Sequence, residues 1–165
     1  MNNDIRKLVD DNWDEIKELI TQKAEAEQEP KTIWDLKIED EEYYYYIPTY
    51  GQVCQGVFNN TYDEWARSKG DAFLTREEAE FELERRTIEA IMRKYSRPFK
   101  NCNPVDPDDA NYCIEHNINN NALKIGSYRS VNLGVLYFES EEIAWKVINE
   151  IGEDRLKKYW FGVTE

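Results

Sequence analysis

The sequence predicts an α+β fold, in which an N-terminal amphipathic helix precedes two small units of antiparallel strands followed by a helix. Apolar residues near the start recur at helical spacing. Runs of aromatic and β-favouring residues come before two hydroxyl residues, Thr75 and Ser140, each placed to cap a helix with an apolar stripe. A chain of 165 residues can bury one modest core or form two small modules that share an interface.

The first predicted element is a helix that begins after Asn3 or Asp4 and ends before Pro30, because proline disfavours helix at the residue before it. Its apolar residues lie three or four positions apart and form one stripe. These residues are Ile5, Leu8, Val9, Trp13, Ile16, Leu19 and Ile20. A charged connector extends this region to residue 42, so we assign residues 1–42 to an acidic N-terminal helix and its connector.

The first strand-and-helix unit is predicted at residues 43–96. Residues 43–47 and 52–58 favour strands around a turn that contains Gly51, and a loop is expected from Asn59 to Gly70. A short strand or turn at residues 72–74 leads into a capping box, Thr75 followed three residues later by Glu78. The helix after it, residues 76–95, carries two apolar stripes, so we expect it to contact a sheet and the N-terminal helix.

The second unit is predicted at residues 112–165, after a Pro- and Asp-rich connection at residues 97–111. Three short strands, at residues 112–115, 123–125 and 133–138, precede a helix capped by Ser140 and ended by Gly152. When Thr75 is aligned with Ser140, the two junctions share an aromatic residue, a hydroxyl cap, acids and an apolar stripe. Duplication of one unit and independent use of the same capping chemistry both explain this pattern.

The net charge of −13, from 34 acidic and 21 basic side chains, argues against direct binding to nucleic acid or to an anionic membrane. A basic protein is the natural partner. The acidity is uneven, since residues 1–42 alone hold 14 acidic and 6 basic side chains. Three cysteines do not make a disulfide framework, and neither a signal peptide nor a long apolar run is present. We therefore expect a cytoplasmic protein with reduced thiols and no membrane span.

Two segments resemble recurring sequences in small, acidic, uncharacterised proteins encoded by phages and prophages of Firmicute bacteria. The first runs from Phe73 to Phe81 (FLTREEAEF) and the second from Ile151 to Gly162 (IGEDRLKKYWFG). The resemblance covers about residues 40–96 and 110–163. It implies a phage accessory protein in the cytoplasm of a bacterial host, with an α+β fold, and it supplies no catalytic residues.

The residue types that carry catalysis or metal binding form no convincing pattern. Cys102, Cys113 and His116 could join Cys54 around a zinc ion, but the chain has no Cys-x-x-Cys pair. No phosphate-binding glycine loop is present, and nothing completes a catalytic triad with a cysteine and the single histidine. We expect no enzyme activity, no catalytic residue and no cofactor, and leave open whether Cys102, Cys113 and His116 bind a metal.

The leading functional hypothesis is a non-enzymatic inhibitor of a basic, nucleic-acid-handling host defence protein, of the anti-CRISPR or anti-restriction type, whose carboxylates replace phosphates. The alternative is a phage-encoded interaction or assembly module that forms a homodimer through the N-terminal helix and inhibits nothing. The aromatic run from Tyr43 to Tyr46, with Tyr50, suits a binding surface or ordinary sheet packing. The proposed partner-binding acids are Asp10, Asp11, Asp14, Glu15, Glu18, Glu39, Asp40, Glu41 and Glu42.

Overall fold

A computed structural model describes residues 12–18, 31–103 and 109–163 of the chain. The chain divides into two compact units, Met1–Leu36 and Lys37–Glu165. In the first unit, residues 13–18 are helical, as expected for part of the amphipathic helix, and Ile33–Asp35 forms a 3₁₀ turn. The remainder of the predicted helix lies outside the described residues. The second unit contains helices and antiparallel sheets, so the α+β prediction is confirmed.

The first sheet of the second unit has three short antiparallel strands in the order β2-β1-β3. Strand β1 (Tyr43–Tyr46) pairs with β2 (Cys54–Val57) on one side and with β3 (Ala72–Phe73) on the other. The predicted hairpin is present, and its second strand is shorter than predicted. Gly51 lies in the turn with a φ of 74°, a left-handed conformation that glycine adopts without steric cost.

The loop predicted from Asn59 to Gly70 is wrong, because the structure has a helix there, α1 (Thr61–Ser68). Asn60 caps this helix by accepting a hydrogen bond from the Tyr62 amide at 2.8 Å. The Asp63 carboxylate reaches back to the Asn60 amide at 3.1 Å. This reciprocal arrangement is a capping box, and the Asn60 to Asp63 spacing was the signal in the sequence.

Helix α2 (Arg76–Tyr95) has the predicted bounds and the predicted cap. The Glu78 amide donates to the Thr75 hydroxyl at 3.2 Å, and the Glu78 carboxylate accepts from the Thr75 amide at 3.1 Å. The two apolar stripes of the helix reflect two sets of neighbours. The helix contacts β1 and β3 of the first sheet and also the helices near the C-terminus.

The second sheet pairs β4 (Asn111–Asn117) with β5 (Ala122–Tyr128) along their whole length. A full third strand at residues 133–138 was predicted, but only two residues of it pair: Tyr137 bridges to Arg97 and Phe138 to Tyr112. The strand is short because the chain turns at Gly134, where φ is 77°.

The C-terminal region contains more helix than the sequence predicted. Helix α3 (Glu141–Ile151) begins at the Ser140 cap and ends at Gly152, as predicted. Beyond Gly152 the chain forms α4 (Glu153–Arg155), which continues into a π-helical segment, Leu156–Trp160. The prediction treated Gly152 as a stop for the helix, whereas its φ of 96° only redirects the chain.

The two strand-and-helix units pair in a similar order, although only the first contains the additional helix α1. In each, a short segment pairs antiparallel with the first strand of the hairpin, with Phe73 opposite Tyr45 and Phe138 opposite Tyr112. In each, the capping hydroxyl follows that phenylalanine by two residues. The similarity that the aligned sequences suggested therefore extends to the pairing of the strands.

One hydrophobic core joins α2 to the second sheet and the C-terminal helices. Its buried members come from α2, β4, β5, the Phe138 bridge, α3 and the π-helical segment. They are Ile88, Met92, Ile114, Leu123, Phe138, Ala144, Val147, Ile148, Ile151 and Leu156. Within the described ranges, no helix has both the length and the apolar content that crossing a bilayer requires.

Replacing Thr75 with alanine removes the hydroxyl that caps α2, and we expect it to lower the free energy of unfolding by about 1 kcal/mol. Urea denaturation of the purified protein measures this change. Thr87→Ala is the matched control, because the Thr87 hydroxyl bonds the Leu83 carbonyl inside the same helix at 2.9 Å and alanine is the better helix former. An equal loss of stability in both variants would contradict the capping role.

Candidate interaction surface

The nine acidic residues proposed as partner-binding fall in two separate units of the structure. Asp10 and Asp11 lie outside the described residues. Asp14, Glu15 and Glu18 are exposed on the helical residues 13–18 of the first unit. The other four belong to the second unit, and we call residues 39–42 the acidic segment. The structure thus brings these four together as one continuous stretch, and each group is considered by itself.

The acidic segment is held in a defined conformation where it joins the first sheet. Its first two residues belong to a 3₁₀ turn, Ile38–Asp40, in which the Asp40 amide bonds the Lys37 carbonyl at 3.1 Å. Glu41 has a left-handed backbone, with φ at 48°. The Glu42 carbonyl then accepts a hydrogen bond from the Phe58 amide at 2.8 Å, which extends the pairing of β1 with β2.

Three of the four acids in this segment have no ion-pair partner within the part of the chain that the structure describes. Among the described residues, Glu39, Asp40 and Glu41 form no ion pair, and all three side chains are exposed. The acids of α2 differ, because several of them bond arginines of the same helix. Glu82, for example, bonds both Arg85 and Arg86, at 2.7 and 2.8 Å. Several acidic residues of α2 therefore stabilise the helix through ion pairs, whereas Glu39, Asp40 and Glu41 face solvent.

Three exposed aromatic side chains come after the acidic segment along the chain. Tyr43, the first residue of β1, is 69% exposed, and Tyr62 and Trp65 on α1 are 78% and 55% exposed. The Tyr62 and Trp65 rings contact edge to face, with centroids 6.3 Å apart. The Lys69 Nζ lies 3.5 Å from the centroid of the Trp65 ring, so this ring already accepts one cation within the chain.

A buried hydrogen bond connects α1 to the first sheet. The Tyr44 hydroxyl donates to Asp63 Oδ1 at 2.6 Å, and the other oxygen of Asp63 accepts from the amides of Asn59 and Asn60. Burial and this carboxylate raise the pKa of Tyr44 well above its usual value, so Tyr44 remains a donor throughout the neutral range. The position of α1, and with it the aromatic pair Tyr62 and Trp65, is fixed by this contact.

The sequence was consistent with two roles for the tyrosine run, a binding surface or packing of the sheet. In the structure, some of these tyrosines are buried and others are exposed. Tyr44 is buried, with its ring 5.5 Å from that of Phe58, whereas Tyr43 and Tyr50 are exposed. Sequence reasoning missed Tyr62 and Trp65 because it assigned their helix to a loop. The Asn60 to Asp63 capping box would have identified that helix and its exposed face.

The cysteine and histidine residues that could have formed a metal site do not converge. Successive residues of a strand point to opposite faces, so Cys113 and His116 lie on opposite faces of β4. Burial raises the pKa of the Cys113 thiol to about 11, and the His116 Nε2 contacts Asn121 Oδ1 at 2.8 Å. Across the described ranges, no group of three or more His, Cys, Asp or Glu side chains is placed to hold a metal ion.

Glu115 occupies the centre of a polar cluster on the face of β4 that carries Cys113. It accepts hydrogen bonds from the Tyr128 hydroxyl and from Lys124 Nζ, the latter at 2.8 Å. The lysine and tyrosine bonds lower the pKa of Glu115, and the carboxylate raises the pKa of Tyr128 to about 12. Gly126 makes room for this contact, because a Cβ atom there would clash with the Glu115 carboxylate.

Comparisons with known proteins assign no family to this chain. No protein-family model matches it, and neither the curated proteins nor the solved structures gave a significant match.

Replacing Tyr44 with phenylalanine is expected to lower the free energy of unfolding by about 1–3 kcal/mol, because it leaves the buried Asp63 oxygen without its hydroxyl donor. Chemical denaturation measures the loss. Tyr46→Phe is the control: it removes a hydroxyl from the same strand, and we expect a change within about 0.5 kcal/mol. If the Tyr44→Phe variant has the same free energy of unfolding as the wild type, the bond does not hold α1 on the sheet.

Glu115→Gln is expected to lower the pKa of Tyr128 from about 12 towards its ordinary value of 10.0, since the carboxylate is the main cause of the shift. A tyrosine pKa that is raised in the folded state stabilises the fold below pH 10, and this contribution is lost as the pH rises to about 12. NMR titration of the Tyr128 ring measures the pKa. Glu139→Gln, an exposed acid elsewhere, should leave it unchanged.

Proposed function

We propose that this chain is a non-enzymatic phage accessory protein that binds a basic, nucleic-acid-handling protein of its bacterial host. The target is a defence protein of the CRISPR or restriction type, in the host cytoplasm, and the carboxylates stand where phosphates of nucleic acid would lie. The observation that supports this proposal most is the exposed charge of Glu39, Asp40 and Glu41 at the rim of an ordered sheet, where no described residue pairs with them.

Order matters to the proposal because a mimic of phosphate must present its charges at fixed positions. A flexible acidic tail loses conformational entropy on binding, whereas a segment tied to β1 through the Glu42 carbonyl has already lost it. Charges that are not neutralised within the chain also attract a basic surface over a longer range and speed its association.

The exposed aromatic rings of the second unit favour a partner whose basic residues are arginines. A guanidinium group can bond a carboxylate with two parallel hydrogen bonds and can stack on an aromatic ring. The acidic segment supplies the carboxylates, and Tyr43, Tyr62 and Trp65 supply exposed rings. Nucleic-acid-binding surfaces are rich in arginine for the same reasons, since phosphates and bases offer the same two kinds of contact.

The test is affinity capture from host lysate with the full chain, followed by measurement of binding to the captured protein. The variant Glu39→Lys with Asp40→Lys is expected to weaken binding by about tenfold or more, through lost attraction and new repulsion. Duplex DNA should compete with the wild-type chain for the partner, and added salt should weaken the complex.

The matched control reverses the charge of two exposed acidic residues elsewhere, by Glu139→Lys with Asp154→Lys, and so changes the net charge by the same amount. It should bind within about twofold of the wild type if the position of the charge matters and its total does not. Equal capture of the partner by both double variants would exclude phosphate mimicry by the acidic segment, whether or not the chain inhibits that partner.

A homodimer formed through the N-terminal helix remains the second candidate, supported by Trp13, which is 53% exposed on the helical residues 13–18. An apolar ring of this size on an amphipathic helix suits burial against a second copy. Light scattering after size exclusion tests it: a dimer that Trp13→Ala dissociates would support this role, and a monomer at high concentration would exclude it.

A further inference from the structure

The outer edge of β4 carries backbone groups that point away from β5. The Tyr112 amide donates to the Phe138 carbonyl at 3.3 Å, and the Phe138 amide donates to the Tyr112 carbonyl at 2.7 Å. In an antiparallel ladder, alternate residues direct both backbone groups to the same side. Ile114 and His116 therefore direct their amides and carbonyls to the same outer edge as Tyr112.

Among the described residues, no strand continues along this edge beyond Phe138. The next pair in the ladder would join Ile114 to Leu136, whose side chain packs against the core, but no described backbone hydrogen bond joins these two or reaches His116 on this side. The chain has turned away at Gly134, and the Asn132 amide is held by the Tyr137 hydroxyl at 2.8 Å.

A groove opens where the missing strand would lie. It has a volume of ≈ 820 Å³ and runs along residues 113–119 of β4 and its turn. Asn132 and Val135 line it from the segment that turns away, and Phe161 lines it from the C-terminal region. Lys124 and Tyr128 of β5 also line it, on the face of the sheet that carries the Glu115 cluster. The Phe161 ring lies 5.9 Å from that of His116, which gives the groove an aromatic wall beside the open backbone.

We propose that this groove binds an extended peptide segment of a partner protein, which adds to the outer edge of β4 as a strand and continues the pairing that Phe138 begins. Unpaired amides and carbonyls at β spacing are complementary to one kind of ligand, another extended backbone. The edge offers two outward residues, so about four or five residues of the partner would pair.

The walls of the groove favour a single peptide strand over the sheet of a second copy. The side chains of Asn132, Val135 and Phe161 line the groove beside β4, and a single extended chain, which is narrower than a sheet, can approach the edge between them more readily. Residues of the peptide opposite Ile114 and His116 would share their face of the sheet, where Phe161 lies, and should be apolar or aromatic. Basic flanking residues suit a chain whose net charge is −13.

This site shares no residue with the acidic segment, so the proposal stands apart from the proposed function. The test uses the full chain and, as the probe, a displayed library of random peptides from which binders are selected. NMR hydrogen exchange then locates binding. In the free protein, the amides of Ile114 and His116 should exchange much faster than those of Cys113 and Glu115, which bond β5. A selected peptide should slow the first two by about tenfold or more.

The variants His116→Pro and His116→Ala separate the backbone from the side chain. Both remove the ring, but only proline removes the amide, and an edge strand tolerates proline where its amide faces away from the ladder. His116→Pro should abolish peptide binding, and His116→Ala should retain it. Val135→Arg, which fills the groove and leaves the backbone of β4 unchanged, should also abolish binding.

Three results would overturn the proposal. The first is slow exchange of the Ile114 and His116 amides in the free monomer, since the edge would then be closed. The second is a library that yields no binder, or binders whose contacts map elsewhere, such as to Trp65. The third is a dimer in solution that His116→Pro dissociates, because the occupant would then be a second copy of the chain.

Discussion

Burial of helix α2 is the constraint on which the rest of the second unit depends. Sheets of two or three short strands are not stable alone in water, and both sheets here are of that size. The helix contacts β1 and β3 on one side and gives Ile88 and Met92 to the core of the second sheet on the other. One helix thus packs on the first sheet and contributes to the core that the second sheet shares with the C-terminal helices, and its capping box at Thr75 sets where the helix begins.

The geometry of the candidate surface follows from contacts that begin at this helix. Arg86 of α2 bonds Asp71 at 2.6 Å and the Gly70 carbonyl at 2.9 Å, and so fixes the turn that follows α1. The buried bond from Tyr44 to Asp63 fixes the other end of α1 on β1. Exposed rings and carboxylates are therefore presented from backbone that is held at several points, which is what recognition by fixed charge requires.

The open edge of β4 and the acidic segment suit different contacts. The acidic segment offers charge, which acts over distance and depends on salt, whereas an open edge offers backbone hydrogen bonds at short range. The same turn at Gly134 that leaves the third strand short leaves this edge unpaired. In the first sheet, β3 stays paired with β1 directly before the cap of α2, so the two similar units differ most at this point.

The sequence by itself determined the elements whose signals are local. Helices α2 and α3 have the predicted bounds near Thr75 and Ser140 because a cap and an apolar stripe act within a few residues of one another. The exposure of Glu39, Asp40 and Glu41 could also be predicted from the sequence, since carboxylates remain in water unless they are paired. Tertiary structure decided which tyrosine is buried, which acidic residues form ion pairs with arginines, and where the outer edge of β4 stays unpaired. Those outcomes depend on partners distant along the chain, as in the bond from Tyr44 to Asp63, and no pattern within one segment specifies them.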